Sequence, residues 1–234
     1  MKPRIMSIDY EDGTLGYDIS VDENGVTVQD YLNALNAALM TLDLSRSRKE
    51  RKICRGCDLC CGERIPLTVI DLLVLAESPA VKTVLGGNLS GEHEVLSEML
   101  RRFSHVYVEG RSVDVTLRLG EDNKCIFLDR ETKTCSVYDF RPFVCQTFIC
   151  CPASPDALEL REAIVNAGED ELVRRWLEFA EAGLCDFWYD EADSPDLDLE
   201  DWVKGPFTGK SSYSQVLIKE VLPSGLWSRL HRAS

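Results

Sequence analysis

The sequence predicts an α+β protein that is mostly helical, with a single core and small β-hairpins around a cysteine-rich metal site. Apolar residues recur at helical spacing in several long segments, whereas strict alternation is confined to short paired runs with turn signals. Ten cysteines fall largely into two groups. In a reducing compartment, clustered thiols indicate metal binding or catalysis, because disulfides are rare there.

The N-terminal part predicts a β-hairpin followed by a helix. Residues 4–10 and 15–21 alternate around an Asp-Gly turn signal, and Thr27 has the position of a helix cap before an apolar helical face. We expect residues 1–45 to form an extension that packs on the rest of the protein. A partner-binding appendage is the alternative.

The central part, residues 46–152, contains both cysteine groups and is predicted to be the metal-binding domain. Thr68 begins an apolar helix, residues 92–103 predict another, and residues 105–109 and 112–119 alternate as a hairpin.

Two short elements are predicted to carry the second cysteine group. Residues 125–128 have the pattern of a buried strand that begins with Cys125. Pro142 fits the first position of a helix and places Cys145 in the first turn, where the helix dipole favours a thiolate.

The C-terminal part, residues 153–234, is predicted to be a helical and acidic region packed on the centre. Residues 155–183 indicate two helices and residues 212–222 a final one. Residues 186–201 contain many acids and no Lys or Arg, which is typical of a solvated connection.

The net charge and the hydropathy of the sequence limit the kinds of partner that we expect this protein to bind. Lys and Arg number 26 against 40 Asp and Glu, and the net charge of −14 argues against binding to nucleic acid through phosphates. No apolar run is long enough to span a bilayer, and the first residues lack a signal peptide. We therefore expect a cytoplasmic protein with no membrane partner.

The cysteine spacing indicates a thiolate metal centre. The first group has the pattern C-x2-C-x2-C-C, and thiolate is a soft ligand that suits zinc or iron–sulfur clusters. If this group is a wrapping loop, three of its cysteines can surround one cluster; if it is helical, Cys60 lies off the shared face. The predicted ligands are Cys54, Cys57, Cys60, Cys61, Cys125, Cys135, Cys145 and Cys150.

The number of thiols favours an iron–sulfur cluster, of the 4Fe-4S type, over zinc. Either centre uses four thiolates, so two metals bind or some cysteines are spare. The choice between Cys150 and Cys151 stays open, and Cys185 is expected to be a small buried apolar residue.

A basic run precedes the second cysteine of the motif. It is either a solvated helix end or a set of cations that neutralises the thiolate centre. Its residues are Arg46, Arg48, Lys49, Arg51, Lys52 and Arg55.

The motifs together resemble the CxxCxxCC family, also called YkgJ-like, of zinc- or iron-chelating domains. The resemblance spans about residues 50–152, and Gln146 departs from it where an Arg is common. It implies metal chelation and leaves the biochemical role open. The matching residues are Cys54, Cys57, Cys60, Cys61, Cys125, Phe127, Leu128, Cys135, Val137, Tyr138, Arg141, Pro142, Cys145 and Phe148.

Arg141 and Tyr138 are candidates for contacts with the bound centre. Arg141 could donate to cluster sulfurs or to Asp139, or be a surface cation. Tyr138 is either a packed aromatic residue or a neighbour of the centre.

Three functions are compatible with these features. The first is a non-catalytic metalloprotein with an accessory, redox or structural role, which we favour. The second is an enzyme that uses S-adenosylmethionine, because flagellin lysine N-methylases carry a similar cysteine cluster; the sequence shows no convincing cofactor loop for it. The third is a zinc-stabilised module whose acidic region binds a protein partner.

Overall fold

The computed structural model describes residues 3–47, 55–86, 89 and 91–231. Within these ranges the chain forms eight α-helices and five short strands, which confirms the predicted α+β class. The helices are α1 (Val28–Thr41), α2 (Val69–Ala76), α3 (Pro79–Leu85), α4 (Glu92–Phe103), α5 (Phe143–Thr147), α6 (Pro155–Glu181), α7 (Ile218–Val221) and α8 (Ser224–Leu230). The strands are β1 (Arg4–Asp9), β2 (Leu15–Ser20), β3 (Ser104–Glu109), β4 (Ser112–Leu117) and β5 (Glu191–Asp193).

Side-chain caps begin four of the helices. Thr27 and Thr68 each form a capping box with the aspartate three residues later. Ser78 and Ser154 accept hydrogen bonds from the backbone and precede a proline at the first helical position. Each such cap contributes about 1 kcal/mol and fixes where the helix starts.

The strands form two small sheets. β1 and β2 pair antiparallel and form the predicted hairpin, in a register that places Arg4 opposite Ser20. β3 and β4 form the predicted second hairpin, and β5 adds to β3 in parallel. The acidic connection therefore contributes a strand, which its composition does not indicate. Its Asp190 carboxylate accepts a hydrogen bond from the Val106 backbone N–H at 2.9 Å.

The two helices predicted for residues 155–183 are one helix, α6, of 27 residues. Gly168, at its middle, suggests a break because glycine disfavours helix interiors. A Cβ built on Gly168 would lie 2.5 Å from the Thr68 methyl carbon. The glycine therefore allows the start of α2 to contact α6 closely.

Replacing Gly168 with alanine is expected to destabilise the protein. Overpacking against buried Thr68 costs about 1–3 kcal/mol, which exceeds the gain in helix propensity of roughly 1 kcal/mol. Gly225→Ala in α8 is the matched control, because among the described residues its added methyl meets nothing within 4 Å beyond its chain neighbours and its own helix backbone. Denaturant unfolding should show a loss for Gly168→Ala only; equal stabilities would contradict the close contact.

A buried ion-pair network connects α6 to α4 and to the C-terminal region. The Glu171 carboxylate accepts hydrogen bonds from Arg174 (2.8 and 2.9 Å), Arg175 (2.8 Å) and the Thr208 hydroxyl (2.7 Å). Arg175 also pairs with Glu92 of α4 at 2.6 Å. Glu171 is 2% exposed and both arginines are 6% exposed, so these charges depend on one another.

The environment of Glu169 is expected to make the free energy of unfolding depend on pH. Its carboxylate accepts a hydrogen bond from the Val115 N–H at 2.7 Å, and burial raises its pKa from 4.5 to about 8. Because the folded protein binds this proton more tightly, the stabilisation present below pH 4.5 is lost as the pH rises through 8.

Glu169→Gln keeps the acceptor and removes the titration. Between pH 4.5 and 8, the free energy of unfolding of the wild type should fall relative to this variant by up to about 1.4 kcal/mol per pH unit. Chemical denaturation across this range tests the difference. If the free energies of unfolding of the two proteins changed with pH in parallel, Glu169 would be ionised at neutral pH in the folded protein.

The final helix predicted for residues 212–222 is interrupted. The chain forms a 3-10 turn at Tyr213–Gln215, then α7 and α8. Between the turn and α7, Leu217 bridges to Thr27, and the Val216 carbonyl accepts a hydrogen bond from the Val28 N–H at 2.9 Å. Pairing with the start of α1 therefore replaces helical hydrogen bonds here.

The buried apolar side chains form one continuous cluster. It includes Tyr17 of β2, Leu72 of α2, Trp176 of α6 and Phe207 of the C-terminal region. The boundaries at 45 and 152 stay predictions, and side chains from all three segments share this core. None of the described helices combines the length and the apolar character needed to cross a membrane.

Candidate metal centre

The described cysteines of the first group lie on a turn and one short 3-10 helix. Gly56 adopts φ +76°, a left-handed conformation that glycine takes readily. Cys60 and Cys61 follow within the 3-10 helix Leu59–Gly62. The described part of this motif is therefore a loop with a single helical turn. Cys54 lies outside the described residues, as does the basic run from 48 to 53.

Backbone contacts join the two cysteine groups. The Cys125 N–H donates to the Cys61 carbonyl at 2.6 Å. The strand predicted for residues 125–128 does not form. Instead, Cys125 makes an isolated bridge to Leu119, and Leu128 makes another to Cys135. The Lys133 ammonium also pairs with Asp58 of the first motif at 3.1 Å.

Helix α5 supplies Cys145. Pro142 caps this helix rather than occupying its first position, and Cys145 lies in the first turn as predicted. The buried Asp71 carboxylate accepts hydrogen bonds from the Phe143 N–H and the Tyr213 hydroxyl, each at 2.7 Å. Asp71 therefore connects the start of α2 to the helix of Cys145. Burial raises its pKa to about 6.

Six of the nine described cysteines line one small cavity of about 50 Å³. They are Cys57, Cys60, Cys61, Cys125, Cys135 and Cys145. Ile65, Leu117, Phe127 and Val137 complete its apolar wall. Within the described residues, no three His, Cys, Asp or Glu side chains stand in the arrangement of a single-ion site.

Burial and mutual proximity raise the pKa values of these thiols. A hydrogen bond with Cys61, then burial, raises the pKa of Cys60 far above 9. Burial raises the pKa of Cys125 to about 11. Burial, together with the charges of Cys125 and Cys60, raises the pKa of Cys145 well above 9. The thiols cannot all ionise together without a cation, which is the chemistry expected of a set of soft metal ligands.

Two guanidinium groups lie over the Tyr138 ring beside the cavity. The Arg141 carbon Cζ is 3.8 Å and that of Arg55 4.6 Å from the ring centroid. Arg141 donates to the Tyr138 carbonyl at 2.8 Å, and Asp139 pairs with Arg55 at 3.5 Å. Both Tyr138 and Arg141 line the thiol cavity.

Arg130 organises the loop that carries Cys125, and sequence reasoning missed it. Its guanidinium donates to the Cys125 and Leu128 carbonyls at 2.9 and 2.6 Å and pairs twice with Asp122. Nothing in the pattern distinguishes Arg130 from an exposed turn cation. Asp71 could have been found, because it stands three residues after the Thr68 cap.

The remaining described cysteines lie elsewhere. Cys150 and Cys151 line a second cavity, and Cys185 lines a third near Leu184 and Trp188. Among the described residues, Cys150 therefore does not line the cavity of the other six predicted ligands. All nine cysteines in the described ranges are free thiols.

These features are those of a candidate chelating site built from cysteines, and the comparison with protein families supports metal binding. Residues 53–163 match the CxxCxxCC family, described as a "Putative zinc- or iron-chelating domain". The match covers nearly half of the chain, confirms the resemblance predicted from the sequence and supports metal binding. No curated protein and no solved structure matches the chain.

Proposed function

We propose that the cavity cysteines hold an iron–sulfur cluster of the 4Fe-4S type, with an accessory, redox or structural role rather than a catalytic one. The observation that carries the proposal is that six cysteines from two distant groups line one cavity. Bound there, the cluster would supply one-electron transfer or a rigid cross-link between the two segments.

The composition of the site supports a polynuclear centre. A 4Fe-4S cluster uses four thiolates, as a zinc ion does, so the six thiols would leave two beside a bound cluster to tune it. Arg141 and Arg55 place positive charge near a centre whose ligands are anionic. The hydrogen bond with Cys61 and burial raise the pKa of Cys60, burial raises that of Cys135, and the charge of Arg141 opposes both rises in part. These cations would stabilise the ligated thiolates.

Zinc is the second candidate, and the size of the cavity favours it. A water molecule needs roughly 10–15 Å³ of such space, so a cavity of about 50 Å³ has room for a single ion, and the thiols would have to turn towards it. A cubane cluster would require the cysteine loops to move apart. Such movement is compatible with loops that carry most of these cysteines.

The free thiols and the net negative charge indicate the kind of compartment and the kind of partner that suit this protein. A reducing compartment such as the cytoplasm would keep these cysteines available for metal. The acidic connection offers a surface for a basic protein partner.

Anaerobic purification followed by iron, zinc and acid-labile sulfide analysis tests the proposal. We expect iron and sulfide in equal amounts and broad visible absorption from sulfur-to-iron charge transfer. Stoichiometric zinc without sulfide would establish the second candidate, and a protein that binds neither metal would overturn both. Retained S-adenosylmethionine, or methyl transfer to a lysine peptide, would overturn the non-catalytic role.

A further inference from the structure

A second cavity, of about 680 Å³, lies apart from the thiol cavity. Its walls are the β1–β2 hairpin, the segment after α1, the segment between α5 and α6, and the first turns of α6. No residue in the described part of the chain lines both cavities. The volume falls within the range of roughly 300–1,000 Å³ that is typical of small-molecule sites.

Backbone pairing holds one wall of this cavity against β2. The Tyr17 N–H donates to the Pro152 carbonyl at 3.0 Å, and the Ser154 N–H donates to the Tyr17 carbonyl at 2.9 Å. A Cβ on Gly16 would lie 2.6 Å from the Pro152 oxygen, so this approach requires glycine. The wall is therefore fixed before any ligand binds.

The cavity is basic in an acidic protein. Among the described residues, two arginines and no aspartate or glutamate line it, although the net charge of the chain is −14. Arg46 donates from Nε to the Ile149 carbonyl at 3.0 Å, which orients its guanidinium. The nearby Asp18 carboxylate accepts a hydrogen bond from the Ser154 hydroxyl at 2.5 Å and does not line the cavity.

Arg161 has no acidic partner among the residues that the structure describes. Its guanidinium carbon lies 5.8 Å from the centroid of the Phe148 ring. Among the hydrogen bonds and ion pairs of the described residues, none involves Arg161. A half-buried guanidinium with free donors is suited to a carboxylate or phosphate, which accepts two parallel hydrogen bonds from it.

Aromatic and hydroxyl groups surround the two arginines. Phe148 is 37% exposed although it is a large apolar side chain, and Tyr10 lies on the same cavity. Ser45 and Ser47 add hydroxyl groups. We infer that this cavity binds a small organic anion, whose carboxylate or phosphate contacts Arg161 and Arg46 and whose apolar part packs on Phe148 and Tyr10.

Isothermal titration of the full chain with three ring compounds tests the inference. Phenyl phosphate and benzoate carry the two anionic groups, and benzamide is a neutral control. We expect saturable binding of at least one anion, at least tenfold tighter than that of benzamide. The anion that binds more tightly assigns the group as phosphate or carboxylate.

Arg161→Met tests the residue, and Arg111→Met is its matched control. Arg111 is an exposed arginine on the β3–β4 turn that pairs with Asp196 and Asp201. Arg161→Met should weaken anion binding at least tenfold with an unchanged unfolding temperature, because Arg161 makes no hydrogen bond or ion pair with the described chain. Absence of saturable binding, equal binding of benzamide, or equal affinity of Arg161→Met and the wild type would each overturn the inference.

Discussion

Cys145→Ser is expected to reduce the bound metal to a small fraction of the wild-type content. The serine hydroxyl has nearly the size of the thiol but is a poor ligand for soft metals. Cys145 lies on the short helix that Asp71 connects to α2, so its position is fixed by buried contacts. Because metal binding and folding are coupled, we also expect a loss of several kcal/mol in the free energy of unfolding of the metal-loaded protein.

Cys185→Ser is the matched control for this substitution. Cys185 is also a partly buried free cysteine but lies on another cavity. Its replacement should leave the metal content intact, and Cys57→Ser should behave like Cys145→Ser. If Cys185→Ser removed the metal and Cys145→Ser retained it, the assignment of ligands to the thiol cavity would be wrong.

Glu171→Gln is expected to cost about 3–5 kcal/mol of folding free energy. Burial alone would raise the pKa of Glu171, but hydrogen bonds from Arg174, Arg175 and Thr208 together hold it below its usual value. Removal of the charge leaves two arginines, each 6% exposed, without their shared anion. Domains are typically stable by about 5–15 kcal/mol, so the loss approaches the whole stability.

Glu178→Gln provides the comparison on the same helix. Glu178 pairs with Arg174 at 3.1 Å, but its side chain is 50% exposed. Solvent screens such a pair, and we expect a change below about 1 kcal/mol. Urea unfolding of the two variants at neutral pH measures the difference; similar stabilities would show that the Glu171 network does not hold α6 to its neighbours. Since the pKa of Glu171 is lowered, its contribution should also disappear as the pH falls below 4.5.

Local signals in the sequence predict the helix starts and the hairpins well. Thr27 and Thr68 bond to the third residue of their own helices, so each cap can be recognised without tertiary information. The single helix α6 could not be predicted in this way. Gly168 indicates a break until its contact with Thr68 is known, because only packing shows why a glycine is needed there.

For the same reason, only part of the candidate site could be predicted from the sequence. Soft-ligand chemistry and spacing indicate that the cysteine groups are used together, and six of the cysteines line one cavity. Spacing does not show that Cys150 faces another cavity, since that depends on how the segment after α5 pairs with β2. The role of Arg130 depends on carbonyl groups, which every residue carries.

X-ray absorption spectroscopy of the anaerobically purified protein tests most directly whether thiolates from both cysteine groups hold the metal. We expect a first shell of about four sulfur atoms near 2.3 Å from iron or zinc, with a second shell of iron atoms if the centre is a cluster. Cys57→Ser and Cys145→Ser should each cause the metal to lose one sulfur neighbour, or the protein to lose the metal. A first shell of oxygen or nitrogen atoms, or a spectrum that neither substitution changes, would contradict a centre built from the two groups.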